Sequence, residues 1–264
     1  MEHLLTIETK DFILSKTFEC GQYFRFRKLD DESYVGIIDG KEVKLSQSGS
    51  TLYVVGNLSV ESLIRFFTLD LDYAAINANL KKNTALRPIV EYSYGIHILR
   101  QPLFETLITF ILSQNNNIKR ITGLIDTLCT NYGEALGNNL YDFPSAEVLA
   151  TLELEEFSSM RFGFRDKYIY DAVHRWTVGD ISCEIIEKAP LELARAELMK
   201  IKGVGPKVAD CTLLFGASRF EAFPEDVWIK RALTHLFPDG LPNSIEPYAG
   251  IVQQYIFHYA RAHL

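Results

Sequence analysis

One lysine in this chain stands where its neighbours could make it reactive. The stretch "LMKIKGVGPKVADC", residues 198–211, places Lys207 just behind Gly203, Gly205 and Pro206, at the start of an apolar-periodic run. A cation at a helix N-terminus is opposed by the helix dipole by a few tenths to about 1 kcal/mol. The uncharged amine, which that field favours, is the form a nucleophile needs. Read from these residues alone, Lys207 is by default a solvated charge, with a phosphate contact or a nucleophile as the alternatives. Farther on, "FEAFPEDVWIKRAL" sets Asp226 just before another apolar-periodic run. A carboxylate there is an N-cap that satisfies exposed N–H groups. Held in that way, it could also stabilise a developing oxocarbenium ion or act as a base.

These side chains need elements to hold them. Residues 191–200 and 206–216 read as amphipathic helices, and the "IKGVG" between them is long enough only for a tight reversal. Gly203 and Gly205 are expected to supply positive φ angles, and Pro206 suits the first turn of the second helix. The backbone of Gly203, Val204 and Gly205 would then turn its N–H groups outward at a helix N-terminus, a geometry that favours phosphate. That is a helix-hairpin-helix over 191–216, or else a plain turn between two helices. The distinction matters because the net charge is −7, which speaks against a general nucleic-acid binder. A neutral backbone grip on DNA removes the objection.

The rest of the chain divides by period. "QYFRFRKL", "SYVGIID", "KEVKLSQ" and "TLYVVG" alternate apolar and polar residues between turn formers, with Asp39-Gly40 a strong hairpin signal. An antiparallel sheet over about residues 3 to 56 is expected. From Ser59 the spacing becomes three and four, with Asp72 and Ser145 as helix starts, Gly133 as a stop and a last helix over 246–263. The resulting division is 1–57, a β-sheet region packed with part of the helical body, and 58–264, a helical domain. Cys20, Cys129, Cys183 and Cys211 are widely spaced, which excludes a zinc or iron-sulfur site built on cysteine pairs. The N-terminus carries early acids and no long apolar run, and no segment has the roughly 20 apolar residues of a membrane helix. A soluble protein without a targeting signal is the expectation: cytoplasmic and nucleoid-associated if prokaryotic.

"GVGPKVADC" followed by "FPEDVW" resembles the helix-hairpin-helix DNA glycosylases with the Gly-Pro-Asp motif. Within them, "LSQNNNIKRITGLIDTLC" and "CGQYFRF" are similar to the 8-oxoguanine DNA glycosylases, in the right order from about residue 12 to 260. The resemblance implies an α+β fold: a TATA-binding-protein-like antiparallel sheet followed by an all-α glycosylase core. It also implies a glycosylase and lyase that removes oxidised guanine opposite cytosine from duplex DNA, as a monomer, with no metal or other cofactor.

Residue by residue, the resemblance makes Lys207 the catalytic lysine and Asp226 the essential aspartate. Asn115, Arg120 and Arg165 match residues that contact the cytosine left unpaired by base flipping, and Phe164 stands where some relatives have a wedging tyrosine. Gly21 matches a glycine whose carbonyl accepts a hydrogen bond from N7–H of 8-oxoguanine, a contact worth about 1–3 kcal/mol against guanine. Cys211 and Phe257 match the walls of the base pocket, and Gln253 the reader of the pairing edge. Read without the family, the asparagine run is a capping loop, the two arginines are surface charge, and Cys211 and Phe257 are core. Trp228 departs from the pattern, standing where many relatives have a phosphate-contacting histidine, and Gln114 where a serine is common. The alternatives are an alkylated-base glycosylase on the same fold and a non-catalytic helix-hairpin-helix damage-binding protein.

Overall fold

The computed structural model describes residues 3–246 and 248–264. The alternating segments form one antiparallel sheet of β1 (His3–Glu8), β2 (Arg27–Lys28), β3 (Tyr34–Ile38), β4 (Lys41–Ser48) and β5 (Thr51–Gly56), ordered β1-β5-β4-β3-β2. Residues two apart share a face, so Val43, Leu45, Leu52 and Val54 all turn inward and are fully buried. Asp39 and Gly40 join β3 to β4 at φ 49° and 67°, the doubly left-handed turn that Asp-Gly favours.

The sheet is less continuous than its pattern suggests. Residues Leu14–Glu19 form a helix inside the expected sheet span, turning Leu14, Thr17 and Phe18 inward. Phe18 then stacks on Phe26 and meets Tyr34 and, from beyond residue 57, Phe67, in one core cluster with Phe12, Val54 and Phe66. Of "QYFRFRKL", only Arg27–Lys28 joins the ladder. The reason lies at Gln22, which is fully buried and bonds the carbonyl of His97 at 2.7 Å and the N–H of Leu99 at 2.9 Å. That tie draws the stretch across to the helical body and away from β3.

Helices begin where the caps indicate. Ser59 caps Val60–Phe66, Asp72 caps Tyr73–Leu80 and Ser145 caps Ala146–Leu149, each accepting a backbone N–H with its side chain. Gly133 follows Ile118–Tyr132, and the last helix runs Ala249–His263, starting later than its pattern suggests. At the centre lies Leu103–Ser113, whose residues Glu105 to Leu112 are all buried. A helix enclosed on every side must have other helices around it, and its C-terminal end opens at the candidate site. Two short strands, Ala135–Gly137 and Leu140–Tyr141, also occur in this helical part. Their turn residues Asn138 and Asn139 sit at φ 48° and 57°. That asparagine pair is the local signal for a hairpin the helical periodicity hides.

Candidate active site

A cleft of about 650 Å³ lies where the central helix ends, lined by Ser113, Asn115, Phe164, Gly205, Lys207 and Asp226 among others. The hairpin supplies one wall. Its first helix is Leu191–Leu198, and its second is Pro206–Cys211, which passes into a π-helical turn over Thr212–Gly216 in place of one continuous α-helix. Gly203 has φ 79°, and a Cβ placed on it would lie 2.3 Å from the ring of Tyr168. Gly205 differs from expectation. Its φ of −99° and ψ of −179° are ordinary extended backbone, and nothing lies within 4 Å of the place a Cβ would take. Only Gly203 needs the left-handed region; Gly205 instead leaves open space at the cleft, where a ligand's backbone can come close. Between them Val204 is buried and anchors the turn.

Lys207 is half-buried on the first turn of the second helix. Its Nζ lies 3.5 Å from Ser113 Oγ and 5.1 Å from the centre of the Phe110 ring. One turn on, burial pushes the Cys211 thiol up to about 11, against the opposing pull of Lys207, so Cys211 is a neutral wall. Asp226 accepts the N–H of Ile229 on Oδ1 at 2.8 Å, capping Val227–Leu236. Among the described residues no ion pair joins Lys207 to Asp226 or to any other carboxylate. The two charges therefore open into one cleft without cancelling each other.

The three asparagines divide their work. Asn115 is exposed with φ 48°, a conformation asparagine tolerates better than most residues. Asn116 Nδ2 donates to the carbonyl of Leu112 at 3.0 Å, closing the helix before it, and Asn117 caps the helix after it through Arg120 N–H at 3.0 Å. Arg120 is exposed on the first turn of that helix. Phe164 is 51% exposed at the cleft edge. Arg165 departs from a surface charge or a free base contact, because only 2% of it is exposed. It donates from Nε and Nη2 to the carbonyl of Gln114, from Nη2 to that of Asn115 at 3.0 Å and from Nη1 to that of Phe162 at 3.1 Å. A buried guanidinium requires acceptors, and the carbonyls at the end of the central helix provide them.

None of the four residues expected around a damaged base lines the cleft itself. Gly21 has φ 85°, and a Cβ there would stand 3.4 Å from the Phe257 ring. Gln254 Nε2 donates to the carbonyl of Cys20 at 2.9 Å, which fastens this turn to the last helix. Gln253 is 5% exposed and its Oε1 is buried without a hydrogen-bond partner. An orphaned buried acceptor is costly in a finished core and useful in a site awaiting a donor. Cys211 and Gln253 are both nearly closed to solvent, whereas Gly21 and Phe257 are half-buried. Ser113, Glu225 and Lys230 also line the cleft, with Val227 and Trp228 exposed beside Asp226. Sequence reasoning missed Ser113 because its meeting with Lys207 joins positions 94 residues apart.

Comparison with known proteins places these features in company. Residues 4–107 match the family described as 8-oxoguanine DNA glycosylase, N-terminal domain. The N-glycosylase/DNA lyase OGG1 of Arabidopsis thaliana is 33% identical over 253 residues, covering 89% of this chain and 69% of that protein. The N-glycosylase/DNA lyase of Saccharomyces cerevisiae is 31% identical, covering 86% and 69%. The crystal structure of Clostridium acetobutylicum 8-oxoguanine glycosylase/lyase with double-stranded DNA containing cytosine opposite 8-oxoguanine superposes with a TM-score of 0.90 at 33% identity, over 99% of this chain and 98% of that one.

Proposed function

The chain belongs to the 8-oxoguanine DNA glycosylases, and from that premise we propose how its cleft removes the oxidised base from duplex DNA and cuts the strand. One observation carries the assignment of roles: Lys207 and Asp226 open unpaired into one cleft beside the hairpin turn and the exposed Asn115.

The hairpin backbone at Gly203, Val204 and Gly205 grips phosphate, and the flipped nucleotide enters the cleft. Lys207 gives up a proton and attacks C1′ as the free amine, forming a C–N bond as the glycosidic bond breaks and its electron pair leaves with the base, which takes up a proton. Asp226, fixed by its cap to Ile229, stabilises positive charge on the sugar as that bond opens. Ring opening gives a Schiff base. Loss of a C2′ proton then expels the 3′ phosphate oxygen, which nicks the strand. No cofactor enters this sequence, because the amine and the carboxylate supply nucleophile and counter-charge.

Gly21, Cys211, Gln253 and Phe257 form the base pocket in this reading, with the unpartnered Oε1 of Gln253 as the acceptor for the pairing edge of the base. Asn115 and Arg120 meet the widowed cytosine, with Phe164 filling the gap in the stack. Arg165 takes part once its guanidinium leaves the carbonyls that hold it. Among the described residues no helix is long and apolar enough to cross a membrane. The enzyme is proposed to work as a monomer. Borohydride reduction tests the scheme. Wild type should be trapped covalently on a duplex with 8-oxoguanine opposite cytosine, and Lys207→Gln should not; equal trapping of the two would sink the mechanism.

A further inference from the structure

Residues 164, 168, 171 and 175 follow a spacing of four, three and four, which lines them along one helical edge. Phe164 begins that edge in the 3-10 turn Gly163–Arg165, and the helix Asp166–Thr177 carries the rest. The ring of Tyr168 meets that of Phe164 edge to face, centroids 5.9 Å apart at 70°. The ring also lies against the hairpin: three of its atoms are 2.3–2.5 Å from where a Cβ on Gly203 would stand. One turn later Asp171 Oδ2 accepts the N–H of Lys202 at 2.7 Å and Arg175 Nε at 3.0 Å. One edge of one helix thus touches the exposed ring at the cleft mouth and the turn that carries the phosphate-facing backbone.

We propose that Tyr168 is a positioning residue that couples Phe164 to the hairpin, so that gripping the phosphate and inserting Phe164 into the duplex are one event. The inference rests on the reading of the cleft given above. Gly203 lacks a side chain, so the ring lies directly on the turn backbone, and any shift of that turn is passed to the ring. The ring also restrains half-exposed Phe164, against which the Arg165 guanidinium lies too, 4.4 Å from the ring centre. Without Tyr168, the turn keeps Val204 and the Asp171 bond but loses the ring beneath Gly203, and Phe164 loses a wall. Tyr168 itself reaches neither sugar nor base in this scheme, and its effect is felt through Phe164 and the turn.

A double-mutant cycle tests the coupling. Binding and single-turnover excision are measured on a duplex with 8-oxoguanine opposite cytosine, for wild type, Tyr168→Ala, Phe164→Ala and the pair. Tyr168→Ala alone should weaken productive binding by about tenfold, the scale of a lost aromatic contact. Tyr168→Phe, which keeps the ring, should recover that loss. In the Phe164→Ala background the same Tyr168→Ala change should cost only about threefold, the part carried by the hairpin. Tyr168→Leu keeps an apolar side chain without a flat face; it should remain folded by thermal melting and still show the defect. Effects that multiply independently, or a Tyr168→Leu enzyme that behaves as wild type, overturn the coupling. Wild-type excision is the control for the premise: if wild type releases no 8-oxoguanine, it is the functional reading that fails, whatever the cycle shows.

Discussion

Two pairs of opposite charge sit at opposite ends of the central helix, and they are handled in opposite ways. Near its start, Arg25 meets Glu105 at 3.1 Å, with side chains 6% and 7% exposed and Asp142 at 3.7 Å. Burial pushes the Glu105 carboxyl up, and the guanidinium beside it opposes that rise. Near its end, Lys207 and Asp226 share a cleft, are half-buried and have no ion-pair partner among the described residues. A charge closed off with its partner holds the sheet region to the helical body and is chemically idle. A charge kept from its partner by other contacts, here a helix cap and an aromatic ring, remains available to a substrate.

The sharpest way to break the comparison is at Lys207. Lys207→Gln should lower strand cutting by at least about a thousandfold, as deletion of a covalent nucleophile does, with thermal unfolding unchanged. Glu105→Ala should show the reverse pattern. It leaves the buried guanidinium with only the longer contact to Asp142 and the carbonyl of Tyr141, and should cost about 3 kcal/mol in urea unfolding, with the activity of the folded fraction kept. An intermediate effect is expected at Asp226, whose two jobs separate: Asp226→Asn keeps an oxygen for the cap and should preserve stability while slowing base release. Asp226→Ala should slow it and also cost about 1 kcal/mol.

The last effect appears only below pH 6.5, at a residue outside the cleft lining. Burial, then Lys16, Arg261 and His263, hold His258 down at about 4 from an ordinary 6.5. The unfolded chain therefore takes up this proton first, so stability is full above pH 6.5 and declines as pH falls toward about 4. The urea midpoint followed over that range should fall less steeply in His258→Gln, and an unchanged slope would remove His258 from the account.

Local signals were legible because their causes are local. Asp72, Ser145 and Asp226 cap helices with an oxygen that reaches three residues ahead, and Asp39-Gly40 makes its turn with its own φ angles. The hairpin at Lys207 was readable for the same reason, although Gly205 serves it by open space and not by positive φ. The helix Leu14–Glu19, the shortened second strand and the buried Arg165 were not legible. Each is decided by a partner distant in sequence: the sheet face that Phe18 covers, the 97–99 backbone that holds Gln22, and the carbonyls of Gln114 and Asn115.

The amino-acid sequence by itself determined the order of sheet and helices and the tight turn before Lys207, since period, caps and turns depend on neighbours along the chain, while the roles of Lys207 and Asp226 came from the resemblance of their motifs to a family. Tertiary structure alone decided that Lys207 stands beside Ser113 and Phe110, that Arg165 faces inward and that Tyr168 lies on Gly203. Those contacts depend on which buried surfaces find one another, and a side chain's burial and its hydrogen-bond acceptors exist only once the chain has packed.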